Sequence, residues 1–103
     1  MSGFDNLSET TTTTAVSYVV PLSDYNVLVL AAAGAVAVTL PSAVLAGRGR
    51  IFRVYKDAAA QTITITPAAG LIDGAANTTL ATGAIHGKMF VSDGANYFTL
   101  AAY

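Results

Sequence analysis

The sequence predicts an all-β protein: a small β-sandwich or barrel of about eight or nine short antiparallel strands with an extended N-terminal arm. Apolar and polar residues alternate with a period of two in several short runs, such as "QTITITP" and "GRIFRVYKD". Turn residues separate these runs at close intervals. No segment keeps a helical period, so the only helix expected is a turn at "SAVLAG".

Residues 1–15 differ from the rest of the chain and are predicted to form the arm, ahead of a single β-domain over residues 16–103. They contain five consecutive threonines, Thr10, Thr11, Thr12, Thr13 and Thr14. Threonine favours extended backbone, and a segment without an apolar face does not pack alone. The arm is therefore expected to order against a neighbour, which makes the five threonines candidate assembly contacts.

The stretch "NVLVLAAAGAVAVTLP", residues 26–41, is the most apolar part of the chain. Its run of 12 apolar or glycine residues is shorter than the roughly 20 that a transmembrane helix needs. No Lys or Arg precedes it, so it does not fit a signal peptide. Val36, Val38 and Leu40 share one face of an alternating run, and the stretch predicts a β-hairpin or a tight strand-to-strand corner.

The remaining strands are predicted at "AVSYVVPL", "GRIFRVYKD", "QTITITP" and "NTTLATG", with a short strand or turn at "GLIDG". The segment "KMFVSDGANYFTLAAY" predicts a hairpin around Asp93 and Gly94, because two alternating runs flank this common turn pair. Asp73 and Gly74 are a second turn pair. The predicted core consists of Val36, Val38, Leu40, Phe52, Val54, Ile63, Ile65, Phe90 or Val91, and Phe98.

The composition predicts an oligomer. Charged residues make up 11% of the chain, with a net charge of -1, against about 25% in an average domain. So few charges leave apolar surface that another subunit is expected to cover. The balance of charge does not favour nucleic acid as a partner. Because the chain has no Cys, disulfides and thiolate zinc sites are excluded.

The order "VTLPSA", "GRIFRVYKD", "TITITPAAGLIDGA" and "FVSDGANYF" resembles a β-module of bacteriophage tail fibres, tail spikes and capsid surface proteins. The resemblance covers about residues 26–97 and lies in turn and core residues. It implies a non-enzymatic virion structural protein, often a homotrimer. A module that stands alone with a short arm is expected to be a capsid decoration, or cement, protein bound to the major capsid protein; the alternative is a tail-fibre or tail-spike component that contacts the host surface.

Residues with catalytic or ligand chemistry are sparse, and neither an enzyme nor a cofactor is predicted. The single histidine, His86, lies in "GAIHGK" without a suggestive nucleophile or carboxylate beside it, so a loop residue is expected. Asp73 and Asp93, with Asn77 and Asn96, could supply oxygen ligands to Ca²⁺, but their spacing matches no known calcium loop. Core or interface packing is preferred to glycan binding for the tyrosines Tyr25, Tyr55, Tyr97 and Tyr103.

The charges are segregated along the chain. Residues 1–47 carry three acids and no basic residue, whereas residues 48–56 carry four basic residues and no acid. Arg48, Arg50 and Arg53 are therefore candidate assembly contacts, and we expect the two segments to meet within a trimer or between neighbours. Interface pairing and plain solvation of these arginines both remain open.

Overall fold

In a computed structural model, the described residues are 10–14, 16–29, 35–56, 61–81 and 87–103. These residues form nine strands and one four-residue helix, as the sequence predicts. The elements are β1 (Thr10–Thr13), β2 (Ser17–Val19), β3 (Asn26–Val29), β4 (Val36–Leu40), α1 (Ala43–Ala46), β5 (Ile51–Lys56), β6 (Ile63–Pro67), β7 (Thr78–Leu80), β8 (Gly87–Ser92) and β9 (Tyr97–Ala102).

The strands form two mixed sheets, ordered β1-β3-β5-β8-β9 and β2-β4-β6-β7. The predicted antiparallel arrangement is wrong for the first six strands: β1, β3 and β5 are parallel, and so are β2, β4 and β6. These first six strands alternate between the sheets, so the chain returns to each sheet running in its previous direction. Only β7, β8 and β9 add antiparallel to their neighbours.

The chain winds through the parallel strands as a coil that passes through each sheet once per turn. In its second turn, paired residues are separated by a constant number of residues in the sequence. Asn26 pairs with Arg53 in the five-stranded sheet, and Val36 pairs with Ile63 in the four-stranded sheet, so partners lie 27 residues apart in both. The sequence repeats with the same spacing: "VLVLAAAGAVAVT" at 27–39 corresponds to "VYKDAAAQTITIT" at 54–66. Each turn of the coil therefore contributes one strand to each sheet.

Both sheets contribute to one hydrophobic core. The period-two pattern places Phe52 and Val54 of β5, and Ile63 and Ile65 of β6, on the inside. The buried apolar residues are Val20, Val27, Val29, Val36, Val38, Leu40, Ala43, Phe52, Val54, Ile63, Ile65, Ile72, Leu80, Phe90 and Tyr97. Every residue of the predicted core is in this list except Val91 and Phe98, so the prediction is confirmed at the other positions. Of the alternatives Phe90 and Val91, Phe90 is the buried one.

Phe98 is the error in the predicted core. It is 43% exposed, whereas Tyr97 is fully buried. In the β8–β9 pairing Phe98 lies opposite Val91, which points outward, and Tyr97 lies opposite the buried Ser92. The Tyr97 hydroxyl donates a hydrogen bond to the main-chain oxygen of Pro41 at 2.7 Å, so its polar atom is satisfied inside.

The apolar stretch at 26–41 is not a hairpin, because β3 and β4 lie in different sheets. The chain passes from one sheet to the other between β3 and β4, which agrees with the alternative prediction of a strand-to-strand connection. Residues 30–34 between the two strands lie outside the described residues. No helix in the described ranges is long and apolar enough to cross a membrane.

The threonine run pairs within its own chain. Thr10–Thr13 form β1, which lies parallel to β3 at the edge of the five-stranded sheet. The extended backbone agrees with the prediction, but this part of the predicted arm belongs to the sheet. Residues 1–9 of the arm lie outside the described residues.

Candidate assembly surface

The outward side of the five-stranded sheet carries mostly large apolar side chains, and we call it the apolar face. Register places Ile51, Val91 and Phe98 in one cross-strand row. Phe98, Leu100 and Tyr103 are 43%, 54% and 52% exposed. The apolar face consists of Leu28, Ile51, Tyr55, Met89, Val91, Phe98, Leu100 and Tyr103.

A pair of tyrosines extends the apolar face to the end of the chain. The Tyr55 ring lies 5.8 Å from the Tyr103 ring, centroid to centroid, at 36°. It also covers Gly87, where a Cβ atom would lie only 2.3 Å from Tyr55 Cδ1. Burial, followed by the nearby Tyr103 phenol, raises the pKa of Tyr55, which favours the neutral form of this ring. The pair therefore presents aromatic surface.

Arg53 is the one charged side chain at the outward positions of β3, β5, β8 and β9. It lies in the row of Asn26 and Met89, and its Nη1 donates to Asn26 Oδ1 at 3.5 Å. A face of this size with a single, half-buried charge has the aromatic, charge-poor composition of a protein interface centre.

Arg50 holds a loop of its own chain. Its guanidinium lies between two aromatic rings, 4.3 Å from the centroid of Tyr25 and 4.1 Å from that of Phe52. It donates hydrogen bonds to the main-chain oxygens of Leu22 and Asp24. The acidic and basic segments thus meet within one chain, through carbonyl oxygens, and Arg50 fixes the loop between β2 and β3.

Arg48 and Arg53 lie in different places from Arg50. Arg48 is exposed in the turn before β5, close to the Asp93–Asn96 turn, whereas Arg53 lies on the apolar face. The three predicted arginines therefore do not form one basic patch.

Asp24 joins the first strand of each sheet. Its carboxylate accepts a hydrogen bond from Thr11 of β1 at 3.0 Å and another from Tyr18 of β2 at 2.5 Å. Burial of the Tyr18 hydroxyl, followed by its hydrogen bond to Asp24, raises the pKa of Tyr18 to about 12. The hydrogen bonds of Asp24, Thr11 and Tyr18 close one end of the core with polar contacts.

Of the other candidate threonines, Thr12 and Thr14 are exposed and Thr13 is buried.

The two Asp-Gly pairs are turns, as predicted. Asp73 and Gly74 have φ angles of 52° and 81°, and the Asp73 carboxylate accepts hydrogen bonds from the amide and hydroxyl of Thr99. Residues 93–96 turn the β8–β9 hairpin, with Gly94 at φ 94°.

The Asp93 carboxylate is also used by its own turn. It accepts hydrogen bonds from the amides of Asn96 and Ala95, which lower the pKa of Asp93. Asn96 accepts a hydrogen bond from the Leu71 amide.

Across the described ranges no group of three or more His, Cys, Asp or Glu side chains could hold a metal, and no pocket is present there. His86 lies outside these ranges.

Three structural roles were not predicted from the sequence. Asp24 accepts hydrogen bonds from β1 and β2, Arg50 donates hydrogen bonds to the loop between β2 and β3, and Tyr97 is buried in the core. The 27-residue repeat could have revealed the parallel pairing of β3 with β5 and of β4 with β6. A scan against protein-family models found no match to the chain, and a search of curated proteins found none either.

Proposed function

We propose that the chain is a non-enzymatic structural protein of a bacteriophage virion: a capsid decoration protein that forms a homotrimer and attaches to the major capsid protein. The observation that carries the proposal is the apolar face, an outward sheet surface that is rich in aromatic residues and has one charge among the described residues of β3, β5, β8 and β9. Contiguous exposed apolar surface marks protein interfaces. The resemblance to phage β-modules supplies the virion setting and the trimer.

The finer architecture belongs to the same proposal. The two sheets pack as a sandwich around the shared core, and the attachment arm lies at the N-terminal side of β1. Because Thr10–Thr13 are a strand of the sheet, the segment available to grip the shell without unfolding the domain is residues 1–9.

Self-association is tested by sedimentation of the purified protein at micromolar concentration. The wild type should give a multiple of 10.5 kDa. Phe98→Asp combined with Leu100→Asp should lower that mass while leaving the circular dichroism β-rich, because charge on the apolar face opposes burial. The matched control, Ala37→Asp with Thr79→Asp, places the same charges at exposed positions of the four-stranded sheet and should keep the wild-type mass. A monomeric wild type would contradict self-association.

Attachment is tested with purified particles. Deleting residues 1–9 should leave the protein folded but abolish decoration, and Arg53→Glu should weaken assembly more than Lys88→Glu. Decoration by the truncated protein at wild-type occupancy would contradict the role of the arm.

A tail-fibre or tail-spike component is the second candidate. The exposed Tyr103, whose ring packs at a tilt against Tyr55, favours it, because an aromatic surface with a polar tip suits ligand contact. Counting copies per virion separates the two roles: hundreds indicate a shell protein and a few indicate a tail protein.

A further inference from the structure

One end of the coil presents the outer edges of both sheets. β1 is the edge strand of the five-stranded sheet and β2 that of the four-stranded sheet, and the two are consecutive in the chain. At the other end, the antiparallel strands β8 and β9 extend the five-stranded sheet and β7 extends the four-stranded sheet. We call the β1–β2 end the open end.

Within the described residues Thr10–Thr13, the β1 edge has no charged residue, Pro or bulge, which are features with which proteins prevent edge-to-edge pairing. It is four threonines paired to β3 without a register shift. The other three edge strands have protective features. β9 has a register shift against β8. β2 is three residues long and is followed after Val20 by Pro21, and β7 is three residues long and its Thr78 hydroxyl accepts a hydrogen bond from the Lys88 ammonium.

The open end is also uncharged and partly apolar. Residues 10–14 and 16–23 contain no Asp, Glu, Lys or Arg. Val16, Val19 and Leu22 are exposed there, Val19 by 68%. Among the described residues, the charge that contacts these strands is Asp24, which already accepts two hydroxyl hydrogen bonds; Glu9, which precedes β1 in the sequence, lies outside the described residues.

We propose that the open end binds the open end of a second copy of this chain, with β1 pairing antiparallel to its counterpart across a two-fold axis. An axis normal to the sheets brings β2 toward its counterpart at the same time, so both edges are covered together. Two identical ends meet without like-charge repulsion because neither carries a charge in these strands. Opposed threonines are favourable cross-strand pairs.

Four residues of strand pairing form a marginal contact by themselves. Val16, Val19 and Leu22 supply the apolar burial that such an edge contact needs. This contact is separate from the apolar face, and it would join one oligomer to the next, linking neighbouring decoration units on a shell. It does not depend on the virion role, since it is measured on purified protein.

The test uses mass and cross-linking together. Thr12→Lys with Val19→Lys should halve the sedimenting mass, because like charges then face each other across the junction. The matched control, Ala37→Lys with Thr79→Lys, should keep the wild-type mass. Because the chain has no cysteine, Thr12→Cys should give a covalent dimer with a bis-maleimide reagent, whereas Thr79→Cys should not.

A wild-type mass of an odd number of chains, unchanged by the lysines and with no Thr12→Cys dimer, would overturn the two-fold contact. Loss of mass only in the Phe98→Asp, Leu100→Asp variant would overturn it too and leave the apolar face as the sole interface. A mass that falls only with the Thr12 and Val19 changes would instead contradict the role of the apolar face.

Discussion

The outer faces of the two sheets follow the same alternation of side chains but expose different chemistry. The four-stranded sheet presents small residues, namely Ser17, Val19, Ala37, Thr39, Thr64, Thr66 and Thr79, and we call this side the threonine face. The apolar face of the five-stranded sheet presents aromatic and aliphatic residues instead. Alternation therefore determines which side chains point outward, whereas their size and polarity determine whether water or protein is the suitable neighbour.

The contrast between the inner and outer sides is largest on the last hairpin. Phe90→Ala should lower the free energy of unfolding by about 3–5 kcal/mol, because it empties a fully buried site. Phe98→Ala should lower it by less than about 1 kcal/mol in the monomer. Urea denaturation at a concentration where the protein is monomeric measures both. Equal losses would show that the β8–β9 register is different from that described.

A second variant tests whether the apolar face is closely packed. Gly87→Ala should cost about 1–3 kcal/mol, because the new methyl group meets the Tyr55 ring and must displace it. Ala37→Val, at an exposed position of the threonine face, is the matched control and should change stability little. Urea denaturation and the near-ultraviolet signal of the tyrosines report the two effects. A Gly87→Ala protein with wild-type stability would mean that Tyr55 does not cover this site.

Alkaline pH should weaken the fold through two inner tyrosines. Burial raises the pKa of Tyr97 to about 12, and burial with the Asp24 hydrogen bond does the same for Tyr18. Between about pH 10 and 12 the unfolded chain loses these protons while the folded chain keeps them, so stability falls as pH rises. The Tyr18→Phe, Tyr97→Phe double variant should show a shallower fall in urea titrations. An unchanged slope would contradict this linkage.

The smallest effect is expected on the threonine face. Thr39→Val with Thr66→Val should change the free energy of unfolding by less than about 0.5 kcal/mol, because valine keeps the β-branched shape of threonine on a strand. The oligomer mass should also stay the same. A drop in mass would show that the threonine face contacts another subunit.

Much of the fold was predictable because period-two alternation records which residues point inward. It located the strands at Ile51–Lys56 and Ile63–Pro67 and their buried residues correctly. It contains no information on which strands are neighbours, so the parallel pairing was missed. The 27-residue repeat does contain that information, since Val27 and Val54, or Val36 and Ile63, occupy equivalent places in successive turns.

The candidate surface was predictable only in outline. Sparse charge indicated that some surface is covered, but the position of the apolar face depends on the outward register of Phe98, which the sequence pattern assigned to the core. Arg50 could not be located either, because its partners Tyr25 and Leu22 are distant in sequence and two of its bonds go to main-chain oxygens.

The positions of β1 and β9 determine how the domain would respond to a pulling force. They are the first and last strands of the described chain and lie at opposite edges of one sheet. Tension applied through these two strands would act across the sheet, loading one ladder of hydrogen bonds at a time, so an edge strand would peel away before the others. If the body of the domain is held and the chain is pulled from the N-terminal side of β1, the β1–β3 hydrogen bonds and the Thr11–Asp24 hydrogen bond bear the load first. The remaining strands would then stay in place.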